Sequence, residues 1–165
     1  MSKLSVLKTE LKTLEDIVKK QKRENLLKFI ITFLMLVFTA FPSFASEREC
    51  LALAIYHEAR GETKQSKLAV AHVVLNRTKS RIFPATVCEV VYQRGQFSWT
   101  QDRHSDTPRE RKAWLTSQRI ADRVLEGYYE DPTNRALYFY STRIRTPRWA
   151  VRMEKQIIGN HIYAR

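Results

Sequence analysis

Residues 50–62, CLALAIYHEARGE, set one carboxylate, Glu58, at the far end of an apolar stretch and just ahead of a glycine, Gly61, suited to stopping a helix. Leu51, Ala54, Ile55 and Glu58 recur at helical spacing. A helix here buries one stripe and carries Glu58 on that same face into whatever cleft lies past its last turn. Burial at such an edge penalises the charged form and raises the carboxyl pKa, which suits a general acid working near neutral pH. An ordinary surface Glu at a helix end is the alternative. Glu62, four residues on, either faces the same cleft or helps start the next helix, so a structural or substrate-orienting role is favoured for it. Arg60 can pair with either Glu, and an exposed pair of that kind contributes little. Tyr56 and His57 flank the helix end; Tyr56 is a candidate substrate contact, and His57 is left out of the chemistry. His57 and Glu58 also begin an HExxH-like string, but Gly61 stands where the second ligand belongs. No other close His, Asp or Glu spacing replaces it, so neither a metal nor a cofactor is expected.

The elements that must position these groups are legible at coarse grain. Residues 64–77 are apolar enough for a core helix, with Glu62 and Thr63 in the break before it. Thr86 reads as the N-cap of a short helix through Val90, Val91 and Tyr92. Thr107 and Pro108 mark the start of a further helix that Gly127 ends. Strand character appears at 136–140, ALYFY, and at 157–163, IIGNHIY, joined by a loop holding Pro147 and Trp149. Helices first and short strands later give an α+β domain, helix-dominated, with a small terminal β element. By two-residue alternation Tyr138 and Tyr140 share one side of their strand and Phe139 takes the other. Residues 96–99, QFSW, are too short to classify by period; their aromatic-polar mix fits cleft lining, and core is an equal alternative for Phe97 and Trp99.

Length and charge bound the rest. A chain of 165 residues, 44% hydrophobic, holds one domain with a real core and hardly two. Its net charge of +12 implies attraction to a polyanion: nucleic acid, anionic lipid or the acidic polymers of a bacterial wall. Leu4, Leu7, Leu11, Leu14 and Val18 fall at helical spacing, followed by a basic cluster at Lys19, Lys20, Lys22 and Arg23. The apolar run 29–41 and the small residues Ser43 and Ala45 complete the layout of a secretory signal, cleaved after Ala45 or kept as an anchor in the inner membrane through residues 26–45. Residues 1–45 are thus an extension plus signal, and 46–165 the working domain, exported to the periplasm or cell envelope. That domain keeps 21 Lys and Arg against 13 Asp and Glu, a net +8, so its basicity is not a targeting flank. Arginine outnumbers lysine there, which favours bidentate contact with carboxylates or phosphates. Cys50 and Cys88 both lie in the exported part, where one disulfide is expected; two buried free thiols are the alternative.

Six blocks carry a resemblance: CLALAIYHEARGE, AVAHVVLNR (69–77), PATVCEVVYQ (84–93), QFSW, DPTNRALYF (131–139) and IGNHIYAR (158–165). In this order they resemble the SleB-type cell-wall hydrolases, which include spore-cortex-lytic enzymes, over essentially all of 50–165. The resemblance implies a lysozyme-like fold related to lytic transglycosylases, acting as a monomer on the glycan strands of peptidoglycan. It makes the first Glu of the EARGE block, Glu58, the catalytic residue, at the position picked out by the helix-end pattern. Gln96, Phe97, Ser98 and Trp99 then suit a sugar subsite, with Tyr138, Tyr140 and His161 as lining from the terminal strands. The chain departs from the family at Asn134 and Arg135, where relatives often have Gly; Asn tolerates a left-handed backbone, and Arg135 reshapes that edge. A single acid suffices for a transglycosylase, because the sugar's own C6 hydroxyl replaces water. The alternatives are a hydrolytic N-acetylmuramidase, a muramoyl amidase, and a non-enzymatic basic wall-binding module. Nucleic acid is set aside, because an exported chain rarely meets it.

Overall fold

The computed structural model describes residues 12, 14, 18–32 and 43–165. The chain divides into two compact units, Met1–Ser43 and Phe44–Arg165. In the first, residues 18–32 are helical, with Leu26, Leu27 and Phe29 exposed. Most of the apolar run expected to serve export, 33–41, lies outside the described residues. Among the described residues no helix is long and apolar enough to cross a membrane.

The second unit is built on α1 (Ser43–Ala59) and α2 (Lys64–Thr78). Leu51, Ala52, Ala54, Ile55, Tyr56 and Ala59 are all buried, so α1 is apolar around most of its circumference from Cys50 onward. A helix of that kind can only be central. α2 likewise buries Ala69, Val70, Ala71, Val73 and Val74. Thr63 caps it: its hydroxyl accepts the Ser66 N–H at 3.2 Å. Thr86 does the same for α3 (Val87–Tyr92), accepting the Glu89 N–H at 3.3 Å. Cys50 and Cys88 form a disulfide, Cα–Cα 5.2 Å, that staples the start of the buried part of α1 to α3.

α4 (Arg111–Leu125) begins three residues later than Thr107 and Pro108 suggest. The N–H groups of Arg109 and Glu110 donate to the Tyr56 hydroxyl, each at 3.1 Å. That buried phenol on α1 holds the incoming chain in an open conformation and caps the helix from outside. Ser117, Ile120, Ala121 and Val124 face the core. At the far end the N–H groups of Gly127 and Tyr128 bond the carbonyls of Val124 and Arg123, with Gly127 at φ 78°, a left-handed stop that favours glycine.

Three short antiparallel strands follow, β1 (Tyr138–Ser141), β2 (Lys155–Ile158) and β3 (His161–Ala164), in the order β1-β3-β2. The single strand expected over 157–163 is therefore a hairpin, turned by Gly159 at φ 59° and Asn160. The segment expected to open at Ala136 enters the sheet two residues later. Residues 131–136 wrap around the Asp131 carboxylate, which accepts from the Thr133 N–H, the Thr133 hydroxyl, the Arg135 N–H and Asn76 at 2.6–2.9 Å. That cage holds Asn134 and Arg135 at φ 53° and 62°, a conformation that costs a non-glycine residue roughly 1–3 kcal/mol. Phe139, His161, Tyr163 and Ile158 share the inner face of the sheet by register, and Ile158 and Tyr163 pack on Ala69 and Val73 of α2. Tyr138, Tyr140, Ile162 and Ile157 share the outer face.

Candidate active site

Glu58 stands half-buried in the last turn of α1. Burial lifts its pKa above the ordinary carboxyl range; Trp99 and the Arg77 guanidinium pull the other way and do not cancel it. Trp99 is held rigidly beside it, with His57 stacked on the indole at 4.3 Å and 18°. His57 in turn donates its Nε2–H to the Asp106 carbonyl at 3.1 Å, which fixes the tautomer. The Trp99 Nε1–H is buried and points its dipole at Glu58, favouring the carboxylate without meeting it in ideal hydrogen-bond geometry.

Two further groups complete the surroundings, and sequence reasoning passed over both. Arg77, in the last turn of α2, is 4% exposed. Its Nε donates to the Leu137 carbonyl at 2.8 Å, and its guanidinium lies over the rings of Phe83 and Phe97 at 5.0 and 5.7 Å. Burial lowers its pKa to about 10, with Tyr138 and Glu58 opposing, and its Nη1 is buried without a partner. The signal available was an arginine two residues after the apolar run Val73, Val74 and Leu75 of that helix. Tyr163 is buried with its hydroxyl unpartnered; burial drives its pKa strongly up, and the charges of Glu62 and Glu58 add to the effect.

The remaining candidates separate by position. Burial alone would raise Glu62, but the Asn160 side chain at 2.6 Å and backbone N–H at 3.4 Å, with Ser66 and His161, outweigh it and hold the carboxylate ionised. Glu62 thus clamps the entry of α2 to the β2–β3 turn, and the Lys67 ammonium donates to its carbonyl. Gly159 leaves room for this clamp, since a Cβ there would collide with Ser66 and Glu62. His161 sits beside Glu62, its pKa lowered by burial against the pull of that carboxylate, with Nδ1 unpartnered. Phe97 is core at 1% exposure; Gln96 is half-buried and Ser98 exposed at the start of the turn that presents Trp99. The Tyr56 hydroxyl accepts the N–H groups of Arg109 and Glu110. Arg60 pairs with Glu110 at 3.3 Å, not with Glu58 or Glu62. Tyr138 and Tyr140 lie on the outer face, packed around Trp149 at 5.4 and 5.7 Å, away from the face that carries Tyr163.

A polar cavity of about 360 Å³ runs along this end of α1, lined by Tyr56, His57, Arg60, Trp99 and the loop from Asp102 to Arg109. A larger cavity, about 710 Å³, opens between α2 and α4, but its carboxylates Asp122 and Glu126 are paired with Arg48 and Arg123. Among the described residues no group of His, Cys, Asp and Glu side chains gathers to hold a metal ion.

The family model described as Cell Wall Hydrolase matches residues 61–164. The spore cortex-lytic enzyme of Bacillus cereus is 34% identical over 119 residues, 71% of this chain and 43% of the relative. That of Oceanobacillus iheyensis is 32% identical over 120 residues, 71% of this chain and 41% of the relative. The chain spans about two fifths of the length of these curated relatives. Among solved structures, the catalytic domain of the germination-specific lytic transglycosylase SleB from Bacillus anthracis superposes with a TM-score of 0.60 at 29% identity, covering 76% of this chain and 98% of that one. The Bacillus cereus SleB catalytic domain gives 0.61 at 30%, covering 76% and 94%. The helix-dominated, lysozyme-like α+β fold expected from the sequence is thus the fold these neighbours share. On the matched residues and the shared fold together, the chain belongs to the cell wall hydrolase family, of the SleB type.

Proposed function

We propose that the chain degrades peptidoglycan by cutting its glycan backbone between MurNAc and GlcNAc, as a lytic transglycosylase in which Glu58 is the one acid and base. The observation that carries this is the setting of Glu58: a half-buried carboxyl at a helix end whose pKa burial raises, with the Trp99 indole N–H and the Arg77 guanidinium beside it. Glu62, the other carboxylate of the segment, is tied to Asn160 and ionised. It is poorly placed to serve as a second catalytic acid or as the nucleophile of a two-carboxylate glycosidase.

Protonated Glu58 donates to the oxygen that joins MurNAc C1 to the next GlcNAc, and that bond breaks. The resulting Glu58 carboxylate takes the proton from the C6 hydroxyl of the same MurNAc as its oxygen closes on C1. The products are a GlcNAc with a free 4-hydroxyl and a 1,6-anhydro-MurNAc end; no water is consumed and Glu58 is protonated again. Arg77 favours the carboxylate midway through the cycle, while burial favours the acid at its start, so the two influences divide the two halves of the reaction. The Cys50–Cys88 disulfide supports a site of action outside the cytoplasm, where the substrate lies. The full chain and its Glu58→Gln variant are incubated with purified peptidoglycan and the soluble fragments weighed by mass spectrometry. Anhydro ends from the parent and none from the variant are expected. Reducing ends indicate water as acceptor, cleaved stem peptides an amidase, and binding without cleavage a wall-binding module; each overturns the proposal.

A further inference from the structure

The outer face of the sheet and the loop folded onto it are not used by the chemistry above. Residues 142–152, TRIRTPRWAVR, hold four arginines and no acid. Arg143, Arg145, Arg148 and Arg152 are all exposed, and none of their side chains has a carboxylate or hydrogen-bond partner among the described residues. The nearest acid in sequence, Glu154, is paired with Arg165. The loop is nonetheless rigidly seated: Ala150 is fully buried, Trp149 packs on Tyr138 and Tyr140, and the Lys155 ammonium takes the carbonyls of Ala150, Val151 and Met153 at 2.9–3.2 Å. Around the guanidinium groups, large apolar side chains stand in solvent: Ile144 54% exposed, Trp149 48%, Val151 60% and Ile157 69%.

Four unpaired guanidinium groups select an anionic partner, and pinned Trp, Ile and Val side chains among them select one with an apolar interior beneath its charge. A sugar polymer offers carboxylates but nothing for Ile144, Val151 and Ile157 to enter. The chain's own helical stretch at 18–32 is basic at Lys19, Lys20, Lys22 and Arg23, and a second copy presents the same four arginines, so like charge disfavours both as occupants. We infer that the 142–152 loop and the outer sheet edge at Ile157 dock the domain on an anionic phospholipid bilayer. Tyr163, whose titration responds to Glu58, lies on the opposite face of the sheet. This inference does not depend on the proposed reaction.

The unit Phe44–Arg165 is suited to the test: it is a separate compact unit with its own core and disulfide, and the solved relatives that it matches are isolated catalytic domains. It also lacks the basic and apolar N-terminal stretch, which would bind vesicles by itself. Sedimentation is measured with vesicles of one part phosphatidylglycerol to two parts phosphatidylcholine, and with phosphatidylcholine alone. Each basic side chain at an anionic surface is worth roughly a five-fold change in partition, so replacing all four, Arg143→Gln with Arg145→Gln, Arg148→Gln and Arg152→Gln, is expected to weaken binding at least about ten-fold. Ile157→Ser is expected to weaken it several-fold at unchanged charge, and Glu58→Gln not at all. All substituted arginines are exposed, and an unchanged melting temperature confirms folding. Equal binding to neutral vesicles, or undiminished binding by the four-fold variant, overturns the inference. So does binding to purified sacculi, but not to vesicles, that the four-fold variant loses, for then the arginines engage acid groups of the wall.

Discussion

Removing the disulfide is the perturbation whose size can be worked most directly. The bond closes a segment with a sequence separation of 38 between Cys50 and Cys88. A cross-link over that length removes about 13 cal/mol/K from the unfolded chain, or about 4 kcal/mol at 25 °C. Residues 44–165, unfolding with roughly 2.1 cal/mol/K per residue, convert this into a fall in melting temperature of roughly 15 °C. The assay is thermal unfolding followed by circular dichroism for the oxidised domain, the same domain under reductant, and the Cys50→Ala/Cys88→Ala variant. Reductant isolates the cross-link; the variant adds the packing lost at Cys50, which is 8% exposed. The division of the loss between slower folding and faster unfolding reports how far the 50–88 loop is closed in the transition state. Cys50 is two helical turns before Glu58, so the folded fraction should cleave as before. A fall under about 3 °C refutes the chain-entropy account.

Two other outcomes follow from the site. The Glu58 pKa is raised in the folded state, so the folded domain loses stability as pH rises from the ordinary carboxyl range through that higher value. Glu58→Gln removes this loss: the variant should melt higher than the parent at about pH 7 and match it near about pH 4, and a variant that is less stable at neutral pH contradicts the assigned direction. Tyr56→Phe leaves the N–H groups of Arg109 and Glu110 without their acceptor and should cost about 1–3 kcal/mol in denaturant unfolding; a loss of turnover with unchanged stability would instead make the phenol a substrate contact.

What the sequence disclosed and what it withheld divide along the range of the forces involved. The apolar period of α1, the Thr63 and Thr86 caps and the Gly127 stop are local signals, and each element formed near its expected bounds. The start of α4 was misplaced because a tyrosine over fifty residues upstream supplies its outer cap, and no local pattern reports that. The hairpin inside 157–163 was legible in its Gly159-Asn160 pair, a two-residue turn signal that the surrounding apolar residues obscured. Glu58 was readable because helix period and burial are coupled along one segment. Arg77 and Tyr163 were not, because only the packing of α2 against the sheet brings them toward it. Tyr138 and Tyr140 obeyed their alternation, but the alternation could not say which face met the core.

The sheet order has a temporal consequence. β3 pairs on both sides yet is the last of the three strands to leave the ribosome or a translocation pore, so neither β1 nor β2 has a neighbour until residues 161–164 arrive. Helices that carry Cys50, Glu58 and Arg77 emerge first and wait, without Tyr163 or the Asn160 clamp on Glu62. A half-delivered polypeptide therefore lacks both the closed sheet and the Asn160 clamp on Glu62 until residues 161–164 arrive.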